Sequence, residues 1–138
     1  MIQRIQSVWL LLAALVTGAI FYFDIFRSAD NLVHIKITDS YPSLLFAIVI
    51  TVLPLITIFM FKNRKRQLLM IYLDILLTIS FLGLQLWRVS DYREANPTVA
   101  GSCYVGSILP AIAIVLLIMA RRAISKDEKL VKSTDRLR

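Results

Sequence analysis

One aspartate in the middle of an apolar run is the residue with most chemical consequence. Asp74 lies in the run Gln67–Trp87, about 10 Å from its basic end at 1.5 Å per helical residue. Gln67 precedes it by two turns, and Thr78 follows it by one. Gln85 comes eleven residues later, within about 20° of the same direction at 100° per residue. Gln67, Asp74, Thr78 and Gln85 therefore form a polar stripe that must face protein and not lipid. A carboxyl placed there can serve a proton relay, hold an ion, or hydrogen-bond a partner helix. It can also snorkel toward Arg64 or Arg66. No second carboxylate and no base lies within the apolar runs, so a relay inside this chain alone is incomplete.

Other chemistry is sparse. The single histidine, His34, and the single cysteine, Cys103, exclude a disulfide framework, a His/Cys metal cluster and most Cys/His catalysis. Phosphate-binding glycine loops, zinc spacings and nucleophile elbows are missing. The expectation is a non-enzymatic protein with no catalytic, cofactor-binding or metal-ligating residues. His34 reads as a solvent-facing strand residue, and Cys103 as a small packing residue.

The elements that carry the stripe follow from the composition. Hydrophobic residues make up 58% of the 138 positions, against about 45–50% in ordinary globular chains. Charged residues are 18%, against about 25%, and they bunch between apolar runs. A membrane-crossing helix needs about 20 mostly apolar residues. Four runs qualify, at 5–23, 43–61, 67–87 and 101–120. The fold class expected is all-α: a polytopic membrane protein with four helices in an up-down bundle (residues 1–120) and a basic cytoplasmic tail helix (121–138). The first run continues to Phe21-Tyr22-Phe23 and meets Asp24 without an A-x-A site, so it reads as an uncleaved helix and not a signal peptide. Asp74 costs on the order of 2.5–3.5 kcal/mol near mid-span, and the Leu, Ile and Phe around it return about 4–7 kcal/mol, so the third run still inserts.

The net charge of +7 matters through its placement. Arg4, then Lys62, Arg64, Lys65 and Arg66, then Arg121, Arg122, Lys126, Lys129, Lys132, Arg136 and Arg138 fall on one side. Only Arg27, Lys36, Arg88 and Arg93 fall on the other. The positive-inside rule then puts both termini in the cytoplasm, in a multi-pass inner-membrane protein. Tyr22, Tyr41, Trp87 and Tyr104 sit at the outer ends, where aromatic rings favour the headgroup layer. The short Lys62–Arg66 connection makes the second and third runs an antiparallel hairpin.

Small residues four apart suggest close helix packing at Ala14 and Gly18 and at Ser102 and Gly106. Pro54 and Pro110 free the carbonyls of Ile50 and Gly106 inside their runs, which calls for a neighbouring donor such as a Thr hydroxyl. Val33–Ile37 alternates like a short strand. It needs a partner, either Thr98–Tyr104 of the second outer loop or another protein's sheet edge. In the tail, Ser125-Lys126-Asp127-Glu128 fits a capping box that opens a helix, and Glu128 to Lys132 is a favourable i,i+4 pair. Arg121, Arg122, Lys126, Asp127, Glu128, Lys129, Lys132, Asp135, Arg136 and Arg138 are the candidate docking residues, toward a cytoplasmic protein, anionic lipid or ribosomal RNA. Plain positive-inside topology and a solvated charged helix account for the same residues.

The opening Met1-Ile2-Gln3-Arg4-Ile5-Gln6-Ser7-Val8-Trp9-Leu10-Leu11-Leu12-Ala13 and the closing Arg122-Ala123-Ile124, Lys126-Asp127-Glu128-Lys129-Leu130-Val131-Lys132-Ser133 and Asp135-Arg136-Leu137-Arg138 resemble a Bacteroidota family of small four-span inner-membrane proteins, the domain of unknown function 4293 family. The resemblance covers the whole chain. It implies a Gram-negative cytoplasmic membrane and transfers no catalytic residue or cofactor.

Two functions are consistent with these residues. One is an accessory or scaffold subunit docking onto a larger membrane complex, with protein-export or insertion machinery as the concrete case and no DNA contact. The other is a small transporter or proton-coupled membrane protein using Asp74.

Overall fold

The computed structural model describes residues 2–28, 34–61, 63–97, 101–103 and 105–135. Four helices carry most of the chain: α1 (Ile2–Ala19), α2 (Tyr41–Phe59), α3 (Arg64–Ala95) and α4 (Val105–Asp135). Between them lie the strands β1 (Phe26–Ser28), β2 (His34–Ile35) and β3 (Gly101–Cys103), and a 3-10 turn at Ile37–Asp39. Each helix packs on the next in the chain, and α1 closes the ring against α4.

Burial along the helices follows alternating steps of four and three. The inward positions are Ser43, Ala47, Ile50, Pro54 and Thr57 on α2, and Gln67, Ile71, Asp74, Thr78, Phe81, Gln85 and Val89 on α3. On α4 they include Pro110, Ala113, Leu117, Ala120, Ile124 and Asp127. A repeat averaging 3.5 residues is the pattern of left-handed knobs-into-holes packing. The outward faces are apolar, with Leu15, Leu45, Leu76 and Val115 all exposed. Helices α2, α3 and α4 are long and apolar enough to cross a membrane, which marks a membrane protein.

The helix limits differ from the apolar runs for local reasons. Helix α1 stops at Ala19 instead of residue 23, and its apolar part, Ile5–Ala19, is shorter than those of the other three helices. Amides of Ile20, Phe21 and Tyr22 bond three residues back to Thr17, Gly18 and Ala19, which tightens the final turn and turns the chain toward β1. Helix α2 begins at Tyr41 because Pro42 fits the first turn, where its missing N–H costs nothing. Asn63 opens α3 by accepting from the Arg66 amide. That helix runs past Trp87 to Ala95 over 32 residues, about 48 Å against an apolar slab of about 30 Å. An apolar run marks the part in hydrocarbon and not the whole helix.

The tail is corrected in the same way. Ser125 does not open a separate helix, since α4 continues unbroken to Asp135. The connecting Arg121-Arg122-Ala123-Ile124 contains no helix breaker, and Ile124 and Asp127 keep the inward register. Arg136 and Arg138 lie outside the described residues.

Strand order is β2-β1-β3, with both pairings antiparallel. Phe26 faces Ile35 on one side and Cys103 on the other. The α1–α2 and α3–α4 connections thus share one sheet, but they meet through β1 and not directly. Val33, residues 98–100 and Tyr104 lie outside the described residues. Ile37 belongs to the 3-10 turn and not to the strand.

Candidate functional site

The apolar interior is divided. One cluster holds Ile20, Ile25, Phe26, Ile35, Ile37, Ala47, Ile50, Phe81 and Val89. The other holds Leu10, Ala13, Ile71, Leu117, Ala120 and Ile124. Along α3 the residues between them are Asp74 and Thr78, and along α1 the inward residue between them is Thr17, all three buried. Pro54 on α2 and Ala113 on α4 are the buried residues of the same stretch. A polar layer therefore interrupts the core at mid-bundle.

Its chemistry is uneven. Thr17 Oγ1 donates to the Ala13 carbonyl at 2.9 Å, and Thr78 Oγ1 to the Asp74 carbonyl at 2.7 Å. Both hydroxyls are thereby engaged within their own helices. The Asp74 carboxylate oxygens have no hydrogen-bond partner among the described residues, and neither has the Gln85 amide. Gln67 Nε2 donates across to the Thr57 carbonyl at 3.3 Å. All four stripe residues are buried, on the face of α3 that meets its own bundle, so the stripe is not a surface for another protein. Arg64 does not reach Asp74 as a snorkelling partner; its Nη2 pairs with Asp127 Oδ2 at 2.9 Å. Arg66 is exposed. On α2, Thr51 Oγ1 donates to the Ala47 carbonyl and Thr57 Oγ1 to that of Leu53, not to the Ile50 carbonyl freed by Pro54.

Gln6 belongs to this interior and was missed by sequence reasoning. It is buried, with Nε2 unpartnered among the described residues. The spacing Gln6, Leu10, Ala13, Thr17, Ile20 was the available signal.

At the end of the bundle near Asn63, α4 presents Arg121, Arg122, Ser125 and Lys126 around a shallow cleft of about 350 Å³. Arg121 stacks over the Tyr72 ring at 4.6 Å. Asp127 turns inward to Arg64 and ties α4 to α3, so it is not part of a docking face. For Glu128, Lys129, Lys132 and Asp135 the structure places the backbone in α4.

The opposite end holds a second polar group. Arg27 Nη2 donates to Asp24 Oδ2 at 2.7 Å, and His34 Nδ1 lies 3.0 Å from the same oxygen. Strand pairing sets Arg27 opposite His34, so the histidine does have a carboxylate beside it. The Arg27 hydrogen bond, with a smaller contribution from His34, holds the Asp24 carboxyl below its ordinary range, against the opposing effect of burial. The Asp24 carbonyl accepts from the Gly106 amide at 3.0 Å. A Cβ on Gly106 would come within 2.5 Å of that carbonyl oxygen. Gly106 therefore serves this contact and not helix packing, and Ser102 lies in β3 instead of a helix. On α1, Ala14 is buried and Gly18 faces Thr51 at ordinary contact distance. Cys103 is exposed and unpaired. Among the described residues no three His, Cys, Asp or Glu side chains converge on a possible metal site.

No curated protein and no solved structure matches the chain. The model of the family described as Domain of unknown function (DUF4293) matches residues 2–137, and the chain belongs to that family.

Proposed function

We propose that this protein is a non-enzymatic accessory or scaffold subunit of a larger inner-membrane complex in a Bacteroidota cell, crossing the bilayer four times with both termini cytoplasmic. The observation that carries the reading is the unbroken continuation of α4 to Asp135. Arg121, Arg122 and Lys126 stand exposed on one helix, braced through the Arg64–Asp127 ion pair at 2.9 Å. A basic helix held at a fixed angle suits an acidic protein surface or ribosomal RNA, which the export and insertion machinery brings to this membrane face. The test is purification of the full chain in mild detergent with mass spectrometry. A stoichiometric partner, lost on neutralising Arg121, Arg122 and Lys126 together, supports the reading. A monodisperse protein without one opposes it.

A second reading has its own support. Asp74 sits in a polar layer with both carboxyl oxygens unpartnered among the described residues, and intramembrane carboxyls mark proton or ion pathways. For a proton-coupled transporter, Asp74→Asn abolishes proton flux in proteoliposomes while the bundle still assembles. Unchanged proton permeability in the wild-type protein removes this reading.

A further inference from the structure

At the end of the bundle that carries Asn63, residues of α1, the end of α2 and the start of α3 line a cleft of about 680 Å³. Val8, Ile58, Phe59 and Phe61 form its apolar walls, and Gln6 and Gln67 are its buried polar residues. The two amides are not equivalent. Gln67 Nε2 is engaged by the Thr57 carbonyl. Gln6 is only 5% exposed, and its Nε2 meets no acceptor among the described residues. A buried amide donor without an acceptor is costly, so the cleft suits a molecule that brings an oxygen to that depth. Hydrocarbon must cover the rest, because Val8, Phe59 and Phe61 are all exposed beside it. Lys65 and Arg66, in the first turn of α3 just before Gln67, are both exposed, which adds attraction for negative charge at this end of the bundle.

The geometry points to a binding site for one anionic glycerophospholipid. An ester or phosphate oxygen accepts from Gln6 Nε2, one acyl chain lies between Val8 and the Ile58–Phe59 wall, and the headgroup phosphate turns toward Lys65 and Arg66. This site is separate from the basic face of α4. It depends on the bilayer being the solvent and not on the docking function.

Two tryptophans allow a direct test. Trp9 follows Val8 in the sequence, and Trp87 stands exposed to the surroundings on α3. The full chain carrying Trp87→Phe is reconstituted in phosphatidylcholine vesicles with increasing brominated phosphatidylglycerol or brominated phosphatidylcholine. Trp9 fluorescence is expected to be quenched at about tenfold lower mole fraction of the anionic lipid, the preference that attraction to Lys65 and Arg66 provides. Trp87, read in a Trp9→Phe protein, reports the surrounding lipid and shows no such preference. Lys65→Gln with Arg66→Gln removes the charge preference at Trp9, whereas Gln6→Leu, which removes the donor at similar volume, weakens the quenching of Trp9 by both lipids about fivefold; helicity is retained in each. Equal quenching of Trp9 by the two lipids overturns the site. A preference that survives in the folded Lys65→Gln, Arg66→Gln protein, or quenching that Gln6→Leu leaves unchanged, also overturns it.

Discussion

Asp24 and Asp74 are buried carboxyls with opposite surroundings, and each makes a prediction of its own. Arg27 holds the Asp24 carboxyl below its ordinary value of 3.8. A carboxyl depressed in the folded state stabilises above the unfolded value, and that contribution is lost as pH falls through the lower folded one. Arg27→Gln is therefore expected to destabilise by about 1 kcal/mol near pH 6, with the difference from wild type closing as pH falls through the lowered folded value. Thermal unfolding in detergent across pH measures it, and a constant difference would show another cause. Asp74 has no such partner among the described residues. Asp74→Leu would join the two apolar clusters on either side of it, and is expected to stabilise the bundle by about 1–3 kcal/mol, the cost of a buried polar group left without a partner. A loss of stability in the same assay would mean that Asp74 holds the bundle together. The periodicity of α3 is enough to put Gln67, Asp74, Thr78 and Gln85 on one side. It could not show that Asp24 meets Arg27 and His34, because strand pairing makes that contact and no local spacing encodes it.

The glycines separate close approach from mere proximity between elements. A Cβ at Gly18 would meet Thr51 at 3.7 Å, an ordinary contact, whereas at Gly106 it would strike the Asp24 carbonyl. Gly18→Ala is expected to be neutral or to stabilise by up to about 1 kcal/mol, the gain in helix propensity. Gly106→Ala is expected to cost about 1–3 kcal/mol through overpacking. Equal thermal shifts for the two would refute the assigned roles. Continuity of α4 has a similar test. A capping serine replaced by alanine costs about 0.5–2 kcal/mol, but Ser125 lies mid-helix, so Ser125→Ala is expected to stay within about 0.5 kcal/mol of wild type. Helix existence is legible from the apolar runs, while helix ends are not. The runs record bilayer thickness, and α3 and α4 extend beyond it on residues such as Arg88–Ala95 that are polar yet compatible with a helix. Strand β1 escaped notice because Phe26-Arg27-Ser28 is short and becomes a strand only between two distant partners.

Taken as a whole, the molecule is an apolar-surfaced ring of four helices with a polar layer inside, a small sheet at one end and a basic helix leaving the other. Such an exterior is compatible with a bilayer and unsuited to water. The direction of the chain rests on its charges, since Lys and Arg gather at the Asn63 end and thin out at the sheet. Cys103 in β3 and Ser125 on α4 lie at opposite ends of one helix pathway, and the only native cysteine is already exposed at the sheet. A maleimide too polar to cross membranes, applied to intact spheroplasts, therefore tests the bilayer and the orientation together. The expected result is that Cys103 is labelled at once, while Ser125→Cys in a Cys103→Ser protein is labelled only after the membrane is opened. Labelling of the residue-125 cysteine in intact spheroplasts, or protection of Cys103 until lysis, would contradict the arrangement.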